Sequence, residues 1–345
     1  MQDDQDTVNQ GAVSETAVPM VELWRGGILE SAHLGHAVIC DDRGEVIEAW
    51  GNPRAVIYPR SSAKMIQALP LIESGAADAA GLSDRHLALS CASHNGAALH
   101  THMVEDWLRD LGLSEANLRC GAHEPYDRTE RDRLIRTDEA PCQLHNNCSG
   151  KHAGFVTLNR HLRGHSEYVE VDHPLQQAVK LAFEEVTGEE SPGYGIDGCS
   201  APNFATSVTG LAHAMGLFSG ASEFGGWRGR AMHRLTHAMA AHPELVAGEG
   251  RSCTALMRAM GGRVAVKTGA EAVFVAILPE QRRGIALKIV DGTTRAAEAA
   301  ITALLVRAGA LEAFHPVVKH YLDTTERNWR GFATGTVTAS PGFPD

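Results

Sequence analysis

Ser61 stands three residues before Lys64 in "YPRSSAKMIQALP", where a proline-bounded loop runs into an apolar segment. On a helix those two positions share a face, so a hydroxyl and an amine could meet there. An alcohol becomes a competent nucleophile when a base removes its proton, and a lysine whose charged form is disfavoured can be that base. Alone, S-x-x-K is equally an ordinary helix start, because serine is a common N-cap. Two further motifs follow in order: Ser93-His94-Asn95 and Lys267-Thr268-Gly269. Pairing Ser61 with Lys64 and Ser93 with Lys267 gives two hydroxyls and two amines for one cleft. One pair could attack a carbonyl while the other passes a proton to a leaving amine. The backbone N–H of Ser61 and one from the K-T-G segment would suit an oxyanion hole.

A second group of reactive residues lies in two glycine-rich stretches. "HNNCSGKHAG" carries Cys148, Lys151 and His152, and "GIDGCSAPN" carries Asp197 and Cys199. Thiolate, imidazole and carboxylate are all zinc ligands, yet C-x-x-K-H is not a zinc-finger spacing. Two turns with small, buried cysteines are the other reading.

The elements that must position these residues follow from periodicity. "HAVICDD" and "GEVIEAWG" read as strands around a turn at Asp42-Arg43-Gly44. The Ser61–Lys64 segment reads as a helix to about Ile72, kinked or ended at Leu69-Pro70. From about residue 73 to 255 the pattern is largely helical; "DHPLQQAVKLAFEEVTG" has Asp172 as its expected N-cap and Gly188 as its stop. Strand periodicity returns in "GGRVAVKTGAEAVFVAILPEQRRGIALKIVDG", with a hairpin turn at Pro279–Gly284, and "TTRAAEAAITALLVRAGAL" closes as an amphipathic helix. The fold class expected is α/β with α+β layering: one antiparallel sheet from both chain ends and a large helical lobe between. Residues 1–20 read as disordered. A single catalytic domain is expected over 21–322, its sheet lobe at 21–60 and 256–322 and its helical lobe at 61–255. Residues 323–345 form a tail. The Ser61 helix would lie at the seam of the lobes, where ligand sites form.

Bulk properties narrow the functional classes. The chain has 345 residues, 43% hydrophobic and 21% charged, with a formal net charge of -11. That balance fits a soluble globular protein and disfavours nucleic acid or an anionic membrane as a partner. No run approaches the ~18 apolar residues of a membrane span. Seven scattered cysteines with no export signal point to free thiols or metal ligands and a cytoplasmic location.

The serine–lysine motifs occur in the order found in penicillin-recognising enzymes, with His94 where those have aspartate. Taken together, "WRGGILESAHLGHAVI", "PRSSAKMIQALP", "CASHNG", "NNCSGKHAG", "DGCSAPN" and "KTGAE" resemble the asparaginase II family, the class 3 L-asparaginases. The likeness runs from Val21 to about Tyr321. It implies a fold like that of serine β-lactamases and glutaminases, hydrolysis of L-asparagine to L-aspartate and ammonia, and a homodimer. It also implies two Ser–Lys pairs, matching Ser61–Lys64 and Ser93–Lys267, and a zinc held by Cys148, Lys151 and Cys199. On this reading Ser61 is the nucleophile and Lys64 its base, while Ser93 and Lys267 move protons. An amino-acid substrate needs ion-pair recognition: Asp197 for its ammonium, Arg60 or Arg251 for its carboxylate. His152 would contact the substrate or orient the metal site. Two rivals are a β-lactamase or peptidoglycan peptidase, and a non-catalytic zinc or amino-acid sensor.

Overall fold

The computed structural model describes residues 16–345. Of the segment expected to be disordered, residues 1–15 lie outside the described residues. Val18–Met20 already belong to the first strand.

The twelve strands among the described residues are β1 Val18–Arg25, β2 Ile28–Asp41, β3 Val46–Trp50, β4 Val56–Ile57, β5 Tyr194–Ile196, β6 Pro202–Phe204, β7 Thr206–Ser207, β8 Ala265–Gly269, β9 Val273–Leu278, β10 Arg283–Ile289, β11 Thr324–Arg327 and β12 Ala333–Ala339. Eight of them form one antiparallel sheet in the order β11-β12-β1-β2-β10-β9-β8, with β3 added on β2. The long β2 pairs with β1 through its first half and with β10 through its second, where it also carries β3. The turn between β2 and β3 has Gly44 at φ 83°, as the hairpin signal requires.

The sheet is covered on both sides, and its central strands show it. Every residue of β9, VFVAIL, is buried, which is the continuous apolar run of a strand with no solvent face. The helices Val208–Ser219 and Thr294–Arg307 both pack against β9 and β10. The first sits so close that a Cβ on Gly284 would lie 2.0 Å from the Gly216 nitrogen. Gly284→Ala is therefore expected to destabilise the fold by about 1–3 kcal/mol, read by urea unfolding, because backbone cannot move aside as a side chain can. A midpoint equal to wild type would mean the helix is not seated there.

The sheet extends past the expected domain end at 322. β12 pairs with β1 from Val21↔Ala339 to Trp24↔Thr336, and β11 adds beyond it. Residues 323–345 are thus part of the domain: threonine occupies every second position of "ATGTVTA", Val337 is buried, and Phe343 packs edge-on to Trp50.

The helical lobe lies between β3 and β8. Its centre is the short helix Lys64–Gln67, all four residues of which are buried. A break at Ala68 separates it from Leu69–Glu73, whose first turn holds Pro70. Pro174–Thr187 and Gly226–Ala241 pack on both short helices, Ser149–Leu162 packs on Leu69–Glu73, and Asp84–Ser90 and Ala98–Asp110 pack in turn on Ser149–Leu162. Trp107 Nε1 donates to Thr157 Oγ1 at 3.1 Å, so a buried indole keeps its partner across two of these helices. The helix Pro174–Thr187 is capped by His173, not Asp172: the imidazole accepts from Leu175 N at 3.0 Å because the proline occupies the next position. Among the described residues no helix is long and apolar enough to cross a membrane.

Candidate active site

The seam between the lobes is made by the turn at Ser61 and the strand β8. Residues Arg60–Ala63 form a single 3₁₀ turn, with Ser62 N donating to Pro59 O at 3.1 Å. Arg60 sits at φ 53°, a left-handed conformation that is costly for a residue with a side chain. Gly269 of K-T-G packs on this turn: a Cβ there would lie 2.5 Å from Pro59 O. The close approach holds Ser61 beside the end of β8. Ser61 is half-buried, and its hydroxyl makes no hydrogen bond among the described residues.

Lys64, the first residue of the following helix, is buried. Its Nζ meets the Ala92 carbonyl, Ser93 Oγ at 3.0 Å and Cys148 Sγ at 3.1 Å. Lys267 points in from β8, placing Nζ 2.9 Å from the same Ser93 Oγ and 2.6 Å from Thr268 O. Both lysines therefore converge on Ser93. The Ser61–Lys64 pair expected from spacing is not a hydrogen-bonded pair here, because the amine turns into the lobe toward residues 92 and 93. Ser93 itself is fixed by its N–H on Val246 O at 2.9 Å, and His94 by its N–H on Asn147 O and its ring on Ser149 Oγ.

Burial decides the charge of this centre. Lys267 has no solvent exposure, and desolvation pulls its amine down to about 7. The Cys253 thiol opposes that shift, while the fields of Lys64 and Arg251 reinforce it. A lysine so placed is about half neutral at neutral pH, and its neutral form can take a proton from the hydroxyl it touches.

The cysteine cluster adjoins. Cys148 is the N-cap of the helix Ser149–Leu162, so Cys148, Lys151 and His152 project from neighbouring turns of one face. Cys199 comes from the tight turn joining β5 to β6, where Ser200 has φ 69° and donates its N–H to Asp197 O. Lys151 Nζ lies 2.9 Å from Cys199 Sγ. Cys199 is held well below the usual thiol range, first by its hydrogen bond with Cys148 and then by Lys151 and His152, while Cys148 is correspondingly raised. Burial works against charge on Lys151, yet the two sulfurs outweigh it and raise its affinity for a proton. His152 is pushed down to about 4, chiefly by burial; Nδ1 meets Tyr168 Oη at 2.8 Å and Nε2 has no hydrogen-bond partner among the described residues. Among those residues no three His, Cys, Asp or Glu side chains gather as a metal site. The set reaches three donors only by counting Lys151. Two sulfurs and one amine in contact, with a competing proton to displace, are a donor set zinc can use.

Asp197 and Arg60 find each other. Arg60 Nε and Nη2 donate to Asp197 Oδ1 at 3.0 and 2.8 Å, bridging the Ser61 turn to the Cys199 turn. Arg251 precedes the helix Ser252–Ala259, its carbonyl accepting from Ala255 N at 3.1 Å; its guanidinium makes no hydrogen bond among the described residues and acts on Lys267 and Glu298 through its field.

The L-asparaginase II family model matches residues 21–339. The chain belongs to the L-asparaginase II family. The chain is accordingly an amidohydrolase of the asparaginase type. No curated protein matches the chain. Among solved structures it is similar to a β-lactamase from Mycobacterium bovis, at 12% identity and TM-score 0.43 over 83% of this chain and 93% of that one. It is also similar to the native form of Mglu, at 12% and 0.41 over 85% and 69%, and to the octameric penicillin-binding protein homologue from Pyrococcus abyssi, at 12% and 0.35 over 86% and 80%.

Four residues of the candidate site were not legible from spacing. Cys253 Sγ accepts from Thr268 N at 3.3 Å, under Lys267. Asn203 Oδ1 accepts from Arg60 N, Asn147 Oδ1 lies 3.0 Å from Cys148 Sγ, and Tyr168 holds His152. Asn147 and Asn203 lie inside the glycine-rich motifs, which is the one signal that could have flagged them.

Proposed function

We propose that this protein is an L-asparaginase that hydrolyses the side-chain amide of L-asparagine through an acyl-enzyme on Ser61. The observation that carries the reading is the Ser93 hydroxyl held between two buried amines, 3.0 Å from Lys64 and 2.9 Å from Lys267. A hydroxyl so placed can accept a proton from one amine while giving its own to the other. Lys267, drawn down to about 7, is the terminal acceptor. The contacts carry a proton from Lys64 to Ser93 and from Ser93 to Lys267; the Ser61 hydroxyl, which shares no hydrogen bond with Lys64 here, joins this path when substrate binding turns it toward that amine. As Ser61 Oγ bonds to the amide carbon, its proton enters this chain. When the C–N bond breaks, the chain returns a proton to the departing nitrogen, which leaves as ammonia. Water then resolves the ester with the relay run once more. Ser61, half-buried and without a hydrogen bond, is the hydroxyl a substrate can reach; Ser93 is saturated.

The Arg60–Asp197 ion pair supports recognition of an amino acid. A bound zwitterion would exchange with it, its ammonium taking Asp197 and its carboxylate taking Arg60 or Arg251. Cys148, Lys151 and Cys199 are the residues that would hold zinc. When bound, the metal would tie the Ser149 helix to the Cys199 turn and neutralise the thiolates beside the substrate subsite. Removing it with a chelator is expected to raise KM for asparagine several-fold more than it lowers kcat, and to lower the melting temperature. Full affinity in metal-stripped protein would end that role.

The activity itself is tested by ammonia release from L-asparagine and L-glutamine, and by turnover of a chromogenic β-lactam. Asparagine is expected to be the preferred substrate. Turnover of the β-lactam alone would replace this reading with the penicillin-recognising one, and silence on all three would favour a ligand sensor.

A further inference from the structure

Outside the hydrolytic site, one cysteine differs from the other six. Cys142 is the single cysteine that is not buried. It caps the 3₁₀ turn Gln143–His145, and that geometry folds the His145 ring back onto it: Sγ lies 3.3 Å from Nδ1, and in the neutral ring that nitrogen accepts from Cys142 N at 3.0 Å, a bond that gives way when it takes the thiol proton. The other ring nitrogen, Nε2, lies 3.3 Å from Glu130 Oε1. Glu130 is buried and takes two donations from Arg133, at 3.0 and 2.8 Å, while a third Arg133 nitrogen holds Glu139. A thiol, an imidazole and a carboxylate thus stand in line. The carboxylate orients the ring and favours its protonated form, and the ring faces sulfur.

The surroundings agree with this geometry. His145 is raised above the ordinary histidine range, first by Cys142 and then by Glu130, and Cys142 is lowered, first by His145. Burial and the charge of Glu115 oppose the thiolate; Glu115 also holds the Gln143 N–H at 2.9 Å. Burial pushes Cys40, Cys91 and Cys120 up to about 12 and raises Cys253. Nothing in the hydrolytic relay uses Cys142, His145 or Glu130.

We propose that Cys142 is an activated nucleophilic thiol, oriented by His145 and Glu130, and a site of oxidation by hydrogen peroxide. The thiolate sulfur attacks one peroxide oxygen and the O–O bond breaks. Hydroxide leaves and takes the proton of the His145 imidazolium to become water. Sulfur is oxidised by two electrons to a sulfenic acid, and His145 is left neutral. Because the turn runs directly into Asn146, Asn147 and Cys148, oxidation acts on the segment that carries part of the hydrolytic site.

The test is timed alkylation of the full-length protein with iodoacetamide across a pH series, followed by peptide mapping. The same peptide in denatured protein serves as the reference. At about pH 7 native Cys142 is expected to react about fivefold faster than in the denatured chain, with its rate inflecting at lower pH, while Cys40, Cys91, Cys120 and Cys253 react more slowly than in theirs. His145→Gln is expected to remove the advantage. Glu130→Gln, which leaves the ring in place, is expected to move the inflection upward, and it supports the relay independently should the first variant fold poorly. After hydrogen peroxide, dimedone is expected to label the Cys142 peptide. A native Cys142 no faster than the denatured reference at any pH, or an inflection that both variants leave unchanged, would overturn the proposal.

Discussion

Lys267→Met is expected to lower kcat/KM for L-asparagine by about 10³-fold or more, since it removes the amine that ends the proton path. The wild-type pH profile carries the same claim. Lys267 is neutral above about 7 and protonated below it, so kcat/KM should rise with pH through that region and level off above. The variant should lose this limb along with its rate. Stability separates lost chemistry from a lost fold. The folded state holds the Lys267 amine at about 7, while the unfolded chain releases it near ~10.4. Between those values the unfolded chain binds the extra proton, so this group lowers stability below about 10 and ceases to do so as pH rises through the window. Methionine removes that penalty, so the variant should unfold at the same or a higher urea concentration near neutral pH. A stable variant with near wild-type turnover would take Lys267 out of the chemistry.

The second large effect is a contrast between the two serines. Ser61→Ala is expected to reduce asparagine hydrolysis by about 10⁴-fold or more, because it removes the hydroxyl on which the ester forms. Ser93→Ala is expected to cost about 10²–10³-fold, since it cuts the link between two amines while leaving the nucleophile. The pH profile distinguishes them further. Without the Ser93 hydroxyl, Lys64 no longer communicates with Lys267 by proton transfer, and the limb near 7 should disappear. Equal losses with the limb retained in Ser93→Ala would mean that Ser93 is not a relay.

Much of the architecture was written in periodicity. The apolar run of β9, the turn at Gly44 and the helix stop at Gly188 carry local signals that tertiary packing did not override. The tail was harder. β12 is a glycine- and threonine-containing strand with few buried positions, and only its pairing with β1 makes it a strand. In the site, residue types were legible and partners were not. S-x-x-K places Ser61 and Lys64 on adjoining positions, but Lys64 goes to Ser93, since residues 92 and 93 approach from behind the helix and offer a carbonyl and a hydroxyl. Asp197 and Arg60, read separately as two halves of a zwitterion site, are an ion pair until a substrate separates them. The Cys142–His145–Glu130 line uses a residue from another helix, and spacing alone does not reveal it.

The most direct test of the serine–lysine account is acid quenching during steady-state turnover of L-asparagine, followed by peptide mapping of the trapped enzyme. An aspartyl ester on the peptide carrying Ser61, absent in Ser61→Ala and accumulating when asparagine is saturating, is the predicted result. An ester found on Ser93, or turnover with no covalent adduct on either serine, would contradict it.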